Sequence, residues 1–334
     1  MNDLATVQGA YDLAPPVTLF DLPAQGLNNR AVGVRTGAGE FLFKTYRVAD
    51  EGALRYEQAL LTWLAAPGLR AEGLPYTLPA ALPTRAGDPL LATPQGWATL
   101  APYLPGRRAD HTQPAEVEAL GAAHAQLHRA LTRYATSLKP ALPPCLDLIR
   151  QRAALTALTP EQCGLAPAPE QTSQLAWWQA EHAALTEWAA REASALPWQV
   201  VHHDFDASNV LIDDGRVLAV LDFEFAGPDW RALDVGAALK YTLRLWENAD
   251  PWPAARAYCR GYGQTQRLTA AEVQALPWLI RLRDMAVTLL RLEPAVAARD
   301  GESVAEYLRQ AHESAMWLAA NGAELVRVAA RMLG

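Results

Sequence analysis

Residues 199–225 form a strand-like island in a second half of the chain whose apolar spacing is otherwise helical. The centre of this island consists of two apolar runs, residues 210–212 and 217–221, separated by Asp213-Asp214-Gly215. An Asp-Gly pair between two apolar runs is among the strongest short-range signals for a β-hairpin. Because a hairpin brings its own ends together, the polar residues that flank these runs must converge.

The first hundred residues have the pattern of strands with one helix. Residues 31–36 and 41–46 are short apolar segments on either side of a Gly-rich turn, which predicts a second hairpin. A helix is expected next, with Asp50 as its N-cap and Pro67-Gly68 at its end. Residues 99–104 are predicted to form an edge strand that leads into a connector.

Pro105-Gly106 is the predicted boundary between two lobes. Residues 1–104 form the first, β-rich lobe in this prediction, and residues 105–334 form a larger lobe that is mainly helical. The helical spacing is clearest at about 150–195 and about 232–332. The expected fold class is therefore α+β, with a small β-rich N-terminal lobe and a large helical C-terminal lobe.

Composition excludes several classes of protein. The chain has 334 residues, of which 51% are hydrophobic and 19% charged, and this is typical of a packed globular protein. Its net charge of −7 argues against a general nucleic-acid partner. The three cysteines lie far apart and form no CxxC motif, which argues against a disulfide framework or a zinc site. The N-terminus lacks the pattern of a signal peptide, and no apolar stretch is long enough for a bilayer, so a soluble, cytoplasmic protein is expected.

Three oxygen-bearing side chains flank the predicted 210–221 hairpin. Asn209 directly precedes its first strand and Asp222 directly follows its second, while Asp204 lies on the loop just upstream. Two oxygen ligands that meet at one point suit Mg²⁺, a hard cation that also accepts phosphate oxygens. Asn209 and Asp222 are therefore predicted metal ligands.

Asp204 is the predicted catalytic residue. The spacing from His202 through Asp204 to Asn209, followed by Asp222, fits the catalytic loop and metal-binding Asp used in phosphoryl transfer. In such a loop the Asp orients the acceptor hydroxyl and takes its proton. Turn residues that cap a surface hairpin are the alternative reading, which explains Asp213 and Asp214 well.

Lys44 and Glu57 are a predicted pair in the first lobe. Lys44 lies late in the second strand, and Glu57 falls on the apolar stripe of the following helix. A buried carboxylate is costly unless a cation pairs with it, and Lys44 is the natural partner. A strand lysine paired with a helix glutamate positions the α- and β-phosphates of ATP in kinases.

The loop of residues 25–29 precedes the first strand and reads Gln-Gly-Leu-Asn-Asn. A loop with one glycine and two asparagines could present backbone N–H groups to phosphates. It is neither a GxGxxG nor a Walker A motif, and a plain loop remains the alternative.

The segment HHDFDASNVLIDD, followed by LAVLDFEFAGPDWRALDVG, resembles the catalytic segment of the aminoglycoside phosphotransferase and choline kinase family, which includes type II homoserine kinases. That family typically reads H-G-D-x-H-x-x-N-(V/I/L)-L, a hairpin, then (I/V)-D-(F/W)-(E/D). His203 stands where the family has Gly, and Asp206 where it has a second His. Gly26, Asn29 and Lys44 match the family's nucleotide loop and strand lysine, and Asp234 resembles the Asp of its D-L-A segment.

The resemblance implies a protein-kinase-like fold that binds ATP and Mg²⁺, with residues 1–104 as the nucleotide-binding lobe. It implies Asp204 as the base, Asn209 and Asp222 as metal ligands, and Lys44 in the ATP site, where Gly26, Asn29 and Glu57 are also expected. The acceptor stays open among amino alcohols, homoserine-like compounds, sugars and aminoglycosides, as does the oligomeric state. A protein Ser/Thr kinase and a catalytically inactive ATP-binding module are the alternatives.

Overall fold

The computed structural model describes residues 3–22, 29–46, 50–71, 74–166, 168–244 and 247–334. The chain divides into two compact units. The first unit contains Met1–Ala109, Thr132–Ala141 and Ala207–Ala226, and the second contains Asp110–Leu131, Leu142–Asp206 and Gly227–Gly334. The β-rich first unit thus takes in the 210–221 hairpin as well as the N-terminal strands.

The helices of the first unit are α1 (Asp3–Ala10), α2 (Glu51–Leu64) and α3 (Pro67–Ala71). Its strands are β1 (Thr18–Phe20), β2 (Arg30–Thr36), β3 (Gly39–Thr45), β4 (Leu91–Thr93), β5 (Gly96–Pro102), β6 (Arg107–Arg108), β8 (Val210–Asp213) and β9 (Arg216–Val220); β7 belongs to the second unit.

Five strands of the first unit form an antiparallel sheet in the order β1-β2-β3-β5-β4. The predicted hairpin of β2 and β3 is confirmed, and its register places Lys44 opposite Ala31 on one side and Thr99 on the other. The predicted strand at residues 99–104 is present as far as Pro102, as the second half of β5. Strand β5 is not the last strand of the sheet, because β4 pairs with its first three residues, Gly96, Trp97 and Ala98.

Helix α2 begins where the sequence predicted. The Asp50 side chain accepts hydrogen bonds from the backbone N–H of Gly52, which satisfies one of the donors left open at a helix N-terminus. Leu54, Leu61 and Leu64 are buried on one face, and Glu57 is buried with them at 5% exposure. The helix therefore carries one carboxylate into the interior of the unit.

The second predicted hairpin is also confirmed. Strands β8 and β9 pair antiparallel, and the turn between them has positive φ at Asp214 (44°) and Gly215 (71°). Positive φ at both central residues is typical of a type I′ turn, whose twist matches that of the flanking strands. At the open end of the hairpin the N–H of Leu221 donates to the carbonyl oxygen of Asn209 over 2.8 Å. The predicted convergence of the two ends is present.

The second unit is mainly helical. Its helices are α4 (Pro114–Leu131), α5 (Cys145–Gln151), α6 (Pro169–Glu192), α7 (Arg231–Leu243), α8 (Trp252–Gly263), α9 (Ala270–Ala297) and α10 (Gly301–Met332). Two short antiparallel strands, β7 (Trp198–Val201) and β10 (Gly227–Trp230), pair within it. No helix in the described part of the chain is both long and apolar enough to cross a membrane.

Helices α4 and α8 touch along their backbones. A Cβ atom at Gly121 would clash with the carbonyl oxygen of Tyr258, and one at Gly261 would clash with that of Glu118. Only glycine permits so close an approach. The contact sets His124 and His128 of α4 beside Tyr258 and Tyr262 of α8, at hydrogen-bonding distance.

Candidate active site

Lys44 faces two carboxylates in the first unit. Its amine nitrogen lies 3.8 Å from Oδ1 of Asp222 and 3.9 Å from Oε2 of Glu224, and its side chain is about one fifth exposed. The same amine lies over the ring of Tyr46, 4.8 Å from the ring centre. Lysine on a central strand and the end of the β8–β9 hairpin are thus brought together, as the sequence predicted for Lys44 and Asp222.

Asn29 joins this group from the residue just before β2. Its Nδ2 donates a hydrogen bond to Oε2 of Glu224 over 3.4 Å. Gly26, the other residue predicted for this loop, lies outside the described residues. Glu224 itself was not predicted from the residues, although the Asp-x-Glu spacing after an apolar strand was the available signal.

Asp222 has the features of a cation ligand. Its φ of 64° is left-handed, a conformation in which Asp and Asn are enriched among the residues other than glycine. Its Oδ1 is buried and has no hydrogen-bond partner, because the Lys44 amine at 3.8 Å is beyond hydrogen-bonding distance, and a buried carboxylate oxygen without a hydrogen bond is costly. Asn209 is nearly fully buried at the start of the same hairpin, as expected for a second oxygen ligand.

The carboxylate of Glu57 is buried, and its negative charge is only partly compensated by neighbouring groups. Its Oε2 has no hydrogen-bond partner. Burial raises the pKa of Glu57 to about 7; the charges of Asp222 and Glu224 push in the same direction, while Lys44 and a hydrogen bond from Tyr46 lower it. In the described residues the ion pairs of Lys44 are with Asp222 and Glu224, so Lys44 acts on Glu57 at longer range than the predicted pairing assumed.

Three carboxylates therefore surround one lysine in this part of the first unit: Glu57, Asp222 and Glu224. One amine cannot balance the charge of three carboxylates, and two oxygens, Oε2 of Glu57 and Oδ1 of Asp222, have no hydrogen-bond donor. This donor set fits a hard divalent cation, which prefers carboxylate and amide oxygens. Asp222 and Asn209, at the two ends of the hairpin, are residues that could hold it.

The raised pKa of Glu57 predicts a pH-dependent stability in the metal- and nucleotide-free protein. Between pH 4.5 and about 7 the native state binds more protons at Glu57 than the unfolded state does, so the free energy of unfolding falls as pH rises through this window. Glu57→Gln has no such penalty and is expected to be more stable than wild type at pH 8 by up to about 3 kcal/mol. Urea unfolding at pH 4.5, 6 and 8 measures the difference.

Glu51→Gln is the matched control for this experiment. Glu51 lies on the same helix but is exposed, and it pairs with Arg55 across one turn. Its replacement is expected to change the stability by only a few tenths of a kcal/mol at each pH. A Glu57→Gln advantage that stays constant from pH 4.5 to 8 would contradict the raised pKa.

Asp204 belongs to the second unit, in the loop that follows β7. Its N–H donates to Nδ1 of His202 over 3.2 Å, so His202 orients the loop as expected. Asp204 is partly buried, whereas His202 and His203 are buried. The structure thus places Lys44, Asn29, Glu57, Asn209 and Asp222 in the first unit and Asp204 in the second.

Asp234 anchors the loop that carries Asp204. Its carboxylate accepts the backbone N–H of His202 over 2.9 Å and that of His203 over 2.8 Å. The same carboxylate lies 3.0 Å from Nε2 of both His124 and His128. Because Asp234 is an acceptor, both histidines donate from Nε2, and their Nδ1 atoms are hydrogen-bonded to the hydroxyl groups of Tyr258 and Tyr262. Every polar group in this buried cluster is thereby paired.

The charge state of this cluster follows from its bonds. Burial by itself would raise the pKa of Asp234, but the hydrogen bonds and charges of His124 and His128 hold it well below its usual value. Burial lowers the pKa of His128 to about 3, with His124 acting in the same direction. Asp234 is therefore ionised and His128 neutral around pH 7. The three side chains are close enough to hold a metal, but their hydrogen bonds already account for them.

Comparison with known proteins gives two kinds of similarity. Residues 21–278 match the family model described as "Phosphotransferase enzyme family". A homoserine kinase from Caulobacter sp. (strain K31) is 31% identical over 296 residues, which cover 87% of this chain and 85% of that protein.

Two solved structures share the fold over nearly the whole chain. A microcompartment-associated aminopropanol kinase has a TM-score of 0.67 at 17% identity, covering 96% of both chains. The amicoumacin kinase hAmiN, solved with AMP-PNP, Ca²⁺ and Ami, has a TM-score of 0.65 at 16% identity and covers 93% of both. The predicted α+β, protein-kinase-like fold is confirmed.

Proposed function

Because the chain belongs to the phosphotransferase enzyme family, a family of kinases that transfer phosphate to an alcohol group, we propose that it transfers the γ-phosphoryl group of ATP to the hydroxyl of a small amino alcohol. Homoserine is the first acceptor to test, since a curated relative across 87% of the chain is a homoserine kinase. The observation that carries the proposal is the Lys44 amine beside Asp222, whose buried oxygen lacks a donor.

Lys44 binds the phosphates of ATP in this proposal, and Glu57 helps to position the lysine. The loop that contains Gly26 and Asn29 covers the phosphates with backbone N–H groups. Residues 1–104 form the nucleotide-binding lobe, and residues 105–334 carry the catalytic loop and the acceptor site. Asn209 and Asp222 hold Mg²⁺, which neutralises phosphate charge when it is bound.

Asp204 accepts the proton of the acceptor hydroxyl. The hydroxyl oxygen forms a bond to the γ-phosphorus while the bond from that phosphorus to the β–γ bridging oxygen breaks, and ADP leaves with the electron pair. Asp234 keeps the Asp204 loop in place through the two backbone N–H groups that it accepts. In this proposal each residue of the site therefore has one of three roles: phosphate binding, metal binding or proton transfer.

An ADP-release assay with ATP and Mg²⁺ tests the proposal. Homoserine, aminopropanol, ethanolamine, choline and kanamycin serve as acceptors, and each product is identified by mass spectrometry. We expect acceptor-dependent ADP release that is highest with homoserine and absent when EDTA is added. Phosphate found only on protein would favour a protein kinase, and a thermal shift with Mg-ATP but no turnover with any acceptor would favour a catalytically inactive binding module.

A further inference from the structure

His203 has a backbone conformation that side chains rarely adopt. Its φ is 67°, in the left-handed region where glycine is favoured, and it directly precedes Asp204. A residue other than glycine stays in this region only where its surroundings hold it there. The contacts of His203 therefore decide how the next residue is presented.

Three groups of the second unit hold His203. Its N–H donates to Oδ1 of Asp234 over 2.8 Å. Its carbonyl oxygen accepts from Nη2 of Arg283 on α9, also over 2.8 Å. Its Nε2 lies 3.7 Å from Oδ2 of Asp229, a fully buried carboxylate. Both peptide groups around this residue are thus hydrogen-bonded, and its ring faces a buried carboxylate.

Asp229 is itself held rigidly. It accepts the backbone N–H of Cys145 and that of Trp230, each over 2.8 Å. These two hydrogen bonds fix the orientation of the Asp229 carboxylate, which faces the ring of His203. The cluster of Cys145, His203 and Asp229 has donors that could also bind a metal ion. The neighbouring Arg283 guanidinium, whose charge acts on Cys145, opposes a cation there.

The hydrogen bond that the structure describes for Arg283 goes to the backbone carbonyl of His203 in the loop, and not to another side chain. Its Nε is buried and has no hydrogen-bond partner. The anionic groups whose charge acts on this guanidinium include Asp204 and Asp234. A cation that bonds the carbonyl oxygen of His203 is well placed to fix the backbone from which the Asp204 side chain projects.

We propose that Arg283 and His203 are positioning residues for Asp204, acting through the His203 carbonyl and the left-handed backbone just before the catalytic carboxylate. The inference rests on the proposed function, in which Asp204 accepts the proton. It assigns to α9 a part in catalysis that its sequence does not suggest. A misplacement of about 1 Å can cost a rate factor of about 100, so the contact is expected to act on kcat.

Arg281 provides a matched control on the same helix. It lies two residues earlier, and its guanidinium bonds both oxygens of Glu181 over 2.7 and 2.6 Å. It also lies over the Trp278 ring, 4.4 Å from the ring centre. It is thus a partly buried, well-paired arginine of α9 whose described contacts do not include the loop. Its loss should affect stability and leave the loop unchanged.

The experiment compares Arg283→Met, Arg283→Lys and Arg281→Met in steady-state kinetics and thermal melting. Arg283→Met is expected to lower kcat by about 30- to 100-fold with each KM within about threefold of wild type. Arg283→Lys, which can still donate to the carbonyl, should recover much of that loss. Arg281→Met should lower the melting temperature and keep kcat within about twofold.

Amide hydrogen exchange of residues 202–206 gives a second readout that needs no turnover. We expect faster exchange in Arg283→Met and wild-type exchange in Arg281→Met. If both variants lose the same stability, keep kcat and leave this exchange unchanged, the positioning role is wrong. If wild type turns over no acceptor, the proposed function fails, and the exchange comparison still decides whether Arg283 holds the loop.

Discussion

Asp222→Asn is expected to reduce phosphoryl transfer by about 10³-fold or more and to remove its response to added Mg²⁺. Asparagine is enriched in the left-handed conformation that Asp222 has, so the backbone at φ 64° should be retained. The change removes the negative charge that faces Lys44 and an oxygen that has no donor in the structure. Steady-state rates over a Mg²⁺ titration, with a Mg-ATP thermal shift, measure the effect.

Asp213→Asn is the control for this variant. Asp213 lies on the same hairpin at the end of β8, where it is exposed. Its replacement should leave kcat, KM and the Mg²⁺ response within about twofold of wild type, because exposed surface changes rarely matter. Equal losses in the two variants would show that the hairpin as a whole, and not the Asp222 carboxylate, accounts for the effect.

Asp204→Asn is expected to lower kcat by about 10²- to 10⁴-fold while the KM for ATP and the Mg-ATP thermal shift stay near wild type. The amide cannot take the proton of the acceptor hydroxyl, but it preserves the size of the side chain. The loop should keep its shape, because Asp234 holds it through the backbone of His202 and His203. Single-turnover kinetics with saturating homoserine measure the chemical step directly.

Asp222→Asn and Asp204→Asn are expected to differ in their Mg-ATP thermal shift, so each variant is a control for the other. Asp222→Asn should lose the Mg-ATP thermal shift, whereas Asp204→Asn should keep it. Retained turnover in Asp204→Asn would remove Asp204 from the role of base. Loss of the Mg-ATP shift in Asp204→Asn would instead assign this residue to nucleotide or metal binding.

Local patterns were enough to predict the elements that carry the first-unit site. The turn chemistry of Asp214-Gly215 predicted the hairpin, the Asp50 cap predicted the start of α2, and the apolar stripe predicted that Glu57 is buried. Each of these signals lies within about fifteen residues of chain. The convergence of Asn209 and Asp222 follows from the hairpin alone.

Elements that depend on distant partners could not be predicted in this way. Helix α1 has almost no amphipathic pattern, yet Val7 and nearby Tyr11 pack with Val34 and Phe43 of the sheet. Strand β4 has only three residues, so nothing in its sequence indicated that it would cover β5. Strand β10 pairs with β7 about thirty residues away, and it lies between the predicted strand-like island, which ends at residue 225, and the helical segment expected from about 232.

The ion pairs of the site could be predicted only in part, because they also depend on residues that are distant in the chain. Lys44 and Glu57 were predicted as a pair from one strand and one helix, but the lysine lies within 4 Å of Asp222 and Glu224, nearly 180 residues further along. The two histidine side chains bonded to Asp234 are more than 100 residues earlier in the chain. Tertiary contacts of this kind set pKa values and pairings that no local spacing encodes.

The buried network around Asp234 has a consequence for how activity should respond to acidity. Asp234 stays anionic, and His128 stays uncharged down to about pH 3, so neither changes its proton count between mild acid and mild alkali. These two groups behind the reactive loop thus keep the same charge across the working range. An inflection near neutrality in a rate profile is therefore assigned to groups other than Asp234 and His128.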